Sequence, residues 1–330
     1  MIETITANHF DELRRRLGQQ IIGQHALINR MLVCLLSDGH LLVEGMPGLA
    51  KTTAIKSLAG AIEGEFHRVQ FTPDLLPADL IGTDIYQHEH GEFQFRPGPL
   101  FHNVLLADEI NRAPPKVQSA LLEAMAEKQI TVGQHTYQLP DLFMVLATQN
   151  PVEHEGTYPL PEAQLDRFLL YVRVDYPSRE EELAIIDLHE ITSSVSSLAI
   201  KGERGSSISP CVTQLEIMAA RQAVLQVYLD SKLKEYIVDL VRASRHPSVY
   251  DESLQRWQRF GASPRATLAL SRGSRALAWL AGERYVSPEH IQTIAPEILR
   301  HRILLSFEAE ADGIDVDNFI QRLLQVVAVP

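Results

Sequence analysis

The sequence has few cysteines and no long apolar run, and each absence excludes a class of protein. Cys34 and Cys211 are the only two cysteines among 330 residues. They lie far apart, which fits neither a disulfide framework nor a zinc site, and we interpret them as buried thiols. No apolar stretch approaches the roughly 18 residues that cross a bilayer, and the N-terminal residues lack the apolar region of a secretory signal peptide. We therefore expect a cytoplasmic protein with no membrane insertion.

Basic residues are also scarce relative to acidic ones. The chain carries 30 Lys and Arg against 42 Asp and Glu, a formal net charge of −12. A surface built for DNA or RNA needs clustered Lys and Arg, so the balance argues against a nucleic-acid partner and leaves room only for a local basic groove. The length exceeds that of a usual single domain, which favours two domains.

Strand-like apolar runs alternate with helical patterns through the first half of the chain. This alternation predicts an α/β fold with a parallel sheet. The helical spacing of apolar residues in Pro114–Glu127 supports it. After Val174 the pattern becomes helical, opened by a capping box at Ser178 and Glu181. The predicted strands are His40–Val43, Phe66–Gln70, Val104–Ala107, Phe143–Thr148 and Leu169–Val174.

A phosphate-binding loop is predicted directly after the first strand. The sequence Gly45-Met46-Pro47-Gly48-Leu49-Ala50-Lys51-Thr52 is followed by a helical stretch that begins at Thr53. Such a loop wraps backbone N–H groups around phosphate, directs Lys51 to the β and γ oxygens and lets Thr52 bind Mg²⁺. Ala50 replaces the second glycine of the general pattern. Taken alone, the segment is also compatible with an ordinary glycine-rich turn.

Polar residues at the ends of two later strands strengthen this prediction. Asp108 and Glu109 close an apolar strand, where Asp108 can bind Mg²⁺ and Glu109 can polarise the attacking water. Asn150 ends the next apolar run and is placed to touch the γ-phosphate or the water. The alternatives are solvated acids at a strand end and a turn-forming Asn before Pro151.

Read together, these residues resemble the MoxR family of AAA+ ATPases, and the resemblance covers nearly all of the chain. It implies ATP and Mg²⁺ as cofactors. It also implies a P-loop AAA+ core, with a parallel sheet flanked by helices, followed by a small all-α lid domain. The matching segments are EGMPGLAKT (Glu44–Thr52), LLADEINRAPPKVQSALLEAMAE (Leu105–Glu127), ATQNP (Ala147–Pro151), EGTYPLPEAQLDRF (Glu155–Phe168) and GASPRA (Gly261–Ala266).

The resemblance also assigns roles to individual residues. Asn150 corresponds to sensor 1, Arg167 to an arginine finger offered to a neighbouring subunit and Arg265 to sensor 2. For either arginine, a surface ion pair is the alternative. The family commonly has alanine at the position of Ala50. The residues expected around ATP, besides the loop from Gly45 to Thr52, are Ile22, Gly23, Gln24 and Thr53.

We expect three regions along the chain. Residues 1–190 form the α/β core, 191–210 a flexible insertion or linker and 211–330 the helical lid. By resemblance, the core carries two insertions, Phe71–His102 and a hairpin at Gln129–Leu139 that turns at Gly133-Gln134; surface loops are the alternative. Arg245–Phe260 is longer than expected before the SPRA motif, and we interpret it as an added segment.

The resulting hypothesis is an ATPase that assembles into a ring, expected to be a hexamer, and acts as a chaperone-like remodeller or maturation factor. By analogy with the family, a protein with a von Willebrand A domain is the expected kind of client. Two alternatives stay open. One is a DNA-linked AAA+ motor, and the other is a slow nucleotide-gated binding subunit.

Overall fold

A computed structural model describes residues 2–46, 51–88, 91–150, 156–198 and 210–330. Its strands are β1 (Leu41–Gly45), β2 (Phe66–Gln70), β3 (Gly82–Gln87), β4 (Glu92–Pro97), β5 (Val104–Asp108), β6 (Gln129–Val132), β7 (His135–Gln138), β8 (Met144–Gln149), β9 (Leu170–Val174), β10 (Gln258–Phe260) and β11 (Leu304–Leu305). Its helices are α1 (Ile2–Gln20), α2 (His25–Leu36), α3 (Lys51–Ala61), α4 (Pro77–Ile81), α5 (Pro115–Glu127), α6 (Glu162–Leu165), α7 (Arg179–Leu198), α8 (Gln214–Gln226), α9 (Ser231–Ala243), α10 (Glu252–Trp257), α11 (Pro264–Leu280), α12 (Pro288–Leu299), α13 (Phe307–Ala311) and α14 (Val316–Val326).

Five strands form one central sheet in the order β2-β5-β8-β1-β9, and every neighbouring pair is parallel. Every residue of β5 is buried, as expected for a strand covered on both faces, and this burial explains why these strands read as continuous apolar runs. The five predicted strands are confirmed, and their ends differ from the predicted ones by at most two residues. Because the strands are parallel, their carboxyl ends share one edge of the sheet.

Two apolar clusters cover the two faces of the sheet. Successive residues of a strand point to opposite faces. Accordingly, Val43 and Leu106 belong to the cluster that includes α1, α2, α3 and the C-terminal helices, whereas Leu42 and Leu105 belong to the cluster beside α4 and α5. The sheet is therefore the middle layer of a three-layer arrangement.

The C-terminal helices α8 to α14 form the predicted lid, to which the antiparallel pair β10 and β11 adds a short two-stranded element. Arg245–Phe260 contains α10 and β10 and buries Leu254 completely, so this segment is packed into the lid. The capping box of Ser178 and Glu181 is confirmed by reciprocal hydrogen bonds of 2.7 and 3.3 Å.

The prediction of a linker at 191–210 is wrong for its first part, because α7 continues to Leu198. Serine costs only tenths of a kcal/mol per helical position, and Ile191, Val195 and Leu198 keep a helical spacing of i, i+4 and i+7. The remaining linker residues up to 209 lie outside the described part of the chain.

Both predicted insertions contain hairpins. β3 pairs with β4 in the first insertion, and β6 pairs with β7 in the second, with Gly133 at positive φ in the predicted turn. Phe95 of β4 stacks on Tyr137 of β7 at 4.2 Å between ring centroids. The two insertions therefore touch. Within the described ranges, no helix is both long and apolar enough to cross a membrane.

Candidate nucleotide site

The predicted phosphate loop joins β1 to α3. Gly45 ends β1 and Lys51 begins α3. The two described ends of this segment thus lie at the carboxyl edge of the sheet and at a helix N-terminus, where free N–H groups and the helix dipole favour anions. Met46 is described before the gap, and Thr52 and Thr53 lie in the first turn of α3. Four predicted ligands lie outside the described residues: Pro47, Gly48, Leu49 and Ala50.

Lys51 lies among acidic groups at this edge. Its ammonium donates a hydrogen bond to the carbonyl oxygen of Gly45. Burial lowers the pKa of Lys51, and the negative charges of Asp108, Glu109 and Glu44 oppose that shift. The side chain is therefore half-buried beside the predicted catalytic acids, the position that a phosphate-binding lysine requires.

Asp108 and Thr52, the two predicted magnesium ligands, lie together. Oδ2 of Asp108 is 3.5 Å from the hydroxyl of Thr52, and Oδ1 accepts a 2.6 Å hydrogen bond from the hydroxyl of Thr148. A hydroxyl and a carboxylate oxygen, completed by water and phosphate oxygens, form a donor set that Mg²⁺ uses. Within the described ranges, no cluster of three or more His, Cys or acidic side chains offers an alternative metal site.

Glu109 leaves the strand in an unusual backbone conformation. Its φ of 58° and ψ of 50° lie in the left-handed region, which costs a non-glycine residue about 1 kcal/mol and recurs at functional sites. Its N–H donates to the hydroxyl of Thr148 at 3.0 Å. Its carboxylate accepts a 2.8 Å hydrogen bond from Gln70 and lies 3.1 Å from Arg112 Nε. Because of this turn, the carboxylate of Glu109 has different partners from that of Asp108, the last residue of β5.

Two polar residues of β2 complete the site, and the sequence patterns did not identify them. Arg68 holds Oδ2 of Asp108 through Nη2 at 2.6 Å and Nε at 3.1 Å, while Gln70 binds Glu109. Residues i and i+2 of a strand share a face, so the sequence alone indicates that Arg68 and Gln70 project to the same side of β2. The sequence does not show the strand order, which places β2 beside β5.

Asn150 follows β8 at the same edge of the sheet. Ala107 of β5 is in register with Ala147 of β8, so the residues beyond these strands emerge side by side. Asn150 is 8% exposed and lines a cavity of about 340 Å³ between the core and lid residues Arg300 and His301. This placement suits the predicted sensor role, since the neighbouring strand carries the two carboxylates.

The loop of Ile22, Gly23 and Gln24 joins α1 to α2 and packs against the beginning of α7. Gly23 has φ of +78°, and a Cβ at this position would lie 2.9 Å from Cδ of Glu181. Gln24 is buried at the start of α2. Because α7 follows the carboxyl end of β9, this loop lies at the edge of the sheet that carries the phosphate loop, as expected for an adenine-binding segment.

Arg167 lies at the opposite edge of the sheet. It precedes the amino end of β9, where the N–H of Leu169 bonds to the carbonyl oxygen of His40 at 2.8 Å. His40 precedes β1. At about 3.3 Å per residue, the five residues of β1 separate the two edges by about 16 Å. Arg167 therefore does not reach the phosphate loop of the same chain, and its guanidinium donates to the carbonyl oxygen of Leu122.

Arg265 lies in the same region of the structure as Arg167. It lies in the first turn of α11, 3.4 Å from Asp166, and its side chain is 56% exposed. Arg167, Arg265, Lys128 and Arg272 line one cavity of about 270 Å³. The structure thus brings the predicted finger and sensor 2 together, away from Lys51.

Comparisons with known proteins agree with this architecture. Residues 40–170 match the family model described as ATPase family associated with various cellular activities (AAA), and residues 255–323 match the AAA lid domain. The crystal structure of a protein from Cytophaga hutchinsonii, assigned as an ATPase, aligns with a TM-score of 0.89 and 43% identity. The alignment covers 100% of this chain and 97% of that one. The fold is therefore that of a P-loop AAA+ core with its lid.

Curated relatives define the family. The chaperone MoxR1 of Mycobacterium tuberculosis is 46% identical over 312 residues, which are 94% of this chain and 79% of the relative. The protein YeaC of Bacillus subtilis is 44% identical over 95% of this chain and 92% of its own length. Protein MoxR of Paracoccus denitrificans is 33% identical over 97% and 96%. The chain belongs to the MoxR family of AAA+ ATPases.

Proposed function

We propose that this chain hydrolyses ATP with Mg²⁺. The observation that carries the proposal is the meeting of Lys51, Thr52 and Asp108 at the carboxyl edge of the sheet, with Glu109 directly beside them. Mg²⁺ held by Thr52 and Asp108 would neutralise charge on the phosphate oxygens. Lys51 would bind the same oxygens, and Glu109 would orient the attacking water.

We further propose that the active form is a ring, with six subunits as the expected number. The support is geometric. Arg167 and Arg265 lie at the edge of the sheet opposite Lys51, so they serve catalysis only if another subunit presents its nucleotide to them. An arginine supplied in trans neutralises charge that develops on the γ-phosphate.

For the partner, we propose a protein client in the cytoplasm, with a von Willebrand A domain protein as the expected kind. The joined hairpins offer a surface for it, because Phe93 is 72% exposed and Tyr86 is 45% exposed on the first hairpin. Aromatic side chains are enriched in protein interfaces. A DNA-linked motor is the rival, and stimulation of ATP turnover by DNA but not by protein would favour it.

The first test separates nucleotide binding from hydrolysis. Glu109→Gln should bind ATP normally and lose turnover by about 100-fold or more, on the order expected when a water-orienting group is removed. Lys51→Ala should weaken ATP binding itself. Measurements of equilibrium ATP affinity and steady-state turnover decide the matter. Undiminished turnover in Glu109→Gln would assign the role to another acid.

The second test separates catalysis in trans from catalysis within a subunit. Arg167→Ala subunits keep an intact phosphate loop, and Glu109→Gln subunits keep an intact finger. A mixture should contain junctions where both are normal, so ATP turnover should exceed that of either variant alone. If co-assembly is demonstrated and no activity returns, Arg167 is a surface arginine and the ring proposal loses its support.

A further inference from the structure

The residues that follow α12 attach the lid to the beginning of β9. Arg300 donates to the carbonyl oxygen of Tyr171 at 2.8 Å, and Nε2 of His301 donates to that of Phe168 at 3.1 Å. Arg302 continues the series with bonds to Asp166 and Phe168. The lid therefore holds a stretch of backbone that includes Arg167.

Arg302 grips both neighbours of Arg167. Its Nε donates to Oδ1 of Asp166 at 2.7 Å, and its Nη2 donates to the carbonyl oxygens of Phe168 at 2.6 Å and of Asp166 at 3.2 Å. Nη1 donates to the carbonyl oxygens of Leu169, at 3.3 Å, and of Ile298 in α12. A guanidinium has five N–H groups, and here each has an acceptor.

Because Arg302 is buried, its hydrogen bonds tolerate little displacement of their acceptors. Its side chain is 3% exposed, and a buried charge that loses one partner is strongly destabilised because no water replaces the lost contact. Burial lowers the pKa of Arg302, while the hydrogen bond and the charge of Asp166 raise it again. The guanidinium thus fixes the positions of the two residues that flank the finger.

Asp166 also extends the connection to Arg265. Its Oδ2 accepts a 2.8 Å hydrogen bond from the hydroxyl of Ser263, which caps the N-terminus of α11, and lies 3.4 Å from Arg265. One carboxylate therefore joins Arg302, the start of α11 and the segment that carries Arg167. Hydrogen bonds and ion pairs therefore connect the segment that carries Arg167 and the start of α11, which carries Arg265, to Arg302 of the lid.

We propose that Arg302 is a positioning residue for the finger Arg167, so that the lid of one subunit sets the catalytic geometry of its neighbour. This inference rests on the proposed role of Arg167 in trans. Arg302, whose side chain is 3% exposed, acts through Asp166 and the carbonyl oxygen of Phe168.

Arg302→Lys tests the proposal, because lysine keeps the charge but offers three donors instead of five. We expect ATP turnover to fall about 10- to 100-fold, the scale on which a displaced catalytic group loses rate, while ATP affinity stays within about twofold. Arg30→Lys is the matched control. Arg30 is 12% exposed and donates to Glu297 of α12 at 2.9 Å, so it also joins the core to the lid, but its partner is not a residue that flanks Arg167. Turnover of this variant should therefore stay near that of the unaltered protein.

Mixed assemblies separate positioning from general damage. Arg302→Lys subunits mixed with Glu109→Gln subunits should regain turnover, and mixed with Arg167→Ala subunits they should not, because both partners then lack a working finger. Equal losses in Arg30→Lys and Arg302→Lys, or recovery only with Arg167→Ala, would overturn the proposal. If Arg167→Ala and Glu109→Gln themselves fail to complement, the trans function has failed instead.

A second variant covers the case in which Arg302→Lys does not fold. Asp166→Asn keeps the size of the side chain and one acceptor oxygen but removes the charge that Arg302 and Arg265 share. It should reproduce the loss of turnover, the retained ATP affinity and the pattern of complementation. A folded Asp166→Asn protein with full turnover would overturn the proposal independently of Arg302.

Discussion

The carboxylate of Asp108 binds a positively charged side chain of the protein, that of Arg68. Arg68 directs two N–H groups at Oδ2, the oxygen that also lies near the hydroxyl of Thr52. A guanidinium and Mg²⁺ have charges of the same sign and compete for the same lone pairs. Binding of Mg²⁺ at Asp108 would therefore require Arg68 to give up at least part of this interaction.

Arg68→Met should consequently lower the Mg²⁺ concentration needed for half-maximal ATP binding several-fold, since methionine keeps an apolar stem and removes the competing charge. Nucleotide affinity measured during a Mg²⁺ titration gives the answer. Arg96→Met removes an equal charge from the exposed β3–β4 hairpin and should change nothing. A higher Mg²⁺ requirement in Arg68→Met would show that Arg68 assists the metal.

Asp108 and Glu109 could be identified from the sequence because an apolar strand that ends in acids, downstream of a phosphate loop, is typical of the magnesium-binding strand of P-loop proteins. Arg68 could not be identified from the sequence, since its role depends on which strand lies beside β5. Arg167 and Arg265 carried roles by resemblance only. Their shared position at the far edge follows from the parallel direction of β1 and β9, a three-dimensional fact that no local pattern contains.

At the scale of elements, the loop between α1 and α2 is fixed by a close approach to α7. The positive φ of Gly23 strains any other residue there, and an added Cβ, 2.9 Å from Cδ of Glu181, would displace either that carboxylate or the loop. Glu181 is itself held by Ser178 in the capping box. The beginning of α7 thus supports the predicted adenine-binding segment from behind.

Gly23→Ala should therefore destabilise the protein by about 1–2 kcal/mol from the left-handed backbone alone and should weaken ATP binding as the loop shifts away from Glu181. Gly18→Ala is the control. Gly18 lies inside α1, where an added Cβ would be 3.7 Å from His25, and alanine is favoured there by up to about 1 kcal/mol. Thermal unfolding and ATP affinity measure both effects. Equal behaviour of the two variants would contradict this account.

Elements with strong periodicity were predictable, and those that depend on context were not. The strands of the sheet and α5 follow from apolar runs and helical spacing. The continuation of α7 through Thr192–Leu198 was missed because serine-rich sequence also suits a linker, and length alone does not decide between them. The short β10 and β11 were missed because a strand of two or three residues leaves almost no pattern.

At the scale of the whole molecule, lid and core share one hydrophobic interior. A single apolar cluster contains Phe10 of α1, Leu41 of β1, Ile291 of α12 and Phe319 of α14. Lid and core are thus bound together by buried apolar surface, which is the dominant favourable term in folding. Groups buried in either part therefore influence the stability of the entire chain.

Two buried histidines make that stability depend on pH. His40 accepts from the N–H of Val145 at 3.0 Å, and burial lowers its pKa to about 4; burial also lowers the pKa of His301 well below its ordinary value. Both are neutral when folded, whereas the unfolded chain binds protons below about pH 6.5. Their contribution is complete above that pH and is lost as pH falls, towards about pH 4 for His40.

Between pH 7.5 and 5.5, His40 should remove about 1 kcal/mol from the free energy of unfolding, and His301 should act in the same direction. Chemical denaturation at both values measures the loss. His40→Gln should show a smaller loss between the two pH values, although it is less stable at the higher pH. His135→Gln, at an exposed position, should keep the slope of the unaltered protein. An unchanged slope in His40→Gln would mean that the folded protein protonates His40 as readily as the unfolded chain does.

Because the length of a strand separates Lys51 from Arg167, the number of complete active centres would depend on how many subunits are joined. If each active centre is assembled from the unlike edges of two subunits, an open arc of n subunits has n − 1 complete centres and a monomer has none. A contact between unlike edges either closes into a circle or continues as a helix. Closure supplies the missing centre and removes both unused edges in one event. ATP turnover per subunit would then rise gradually as arcs lengthen and reach its maximum when the last junction forms.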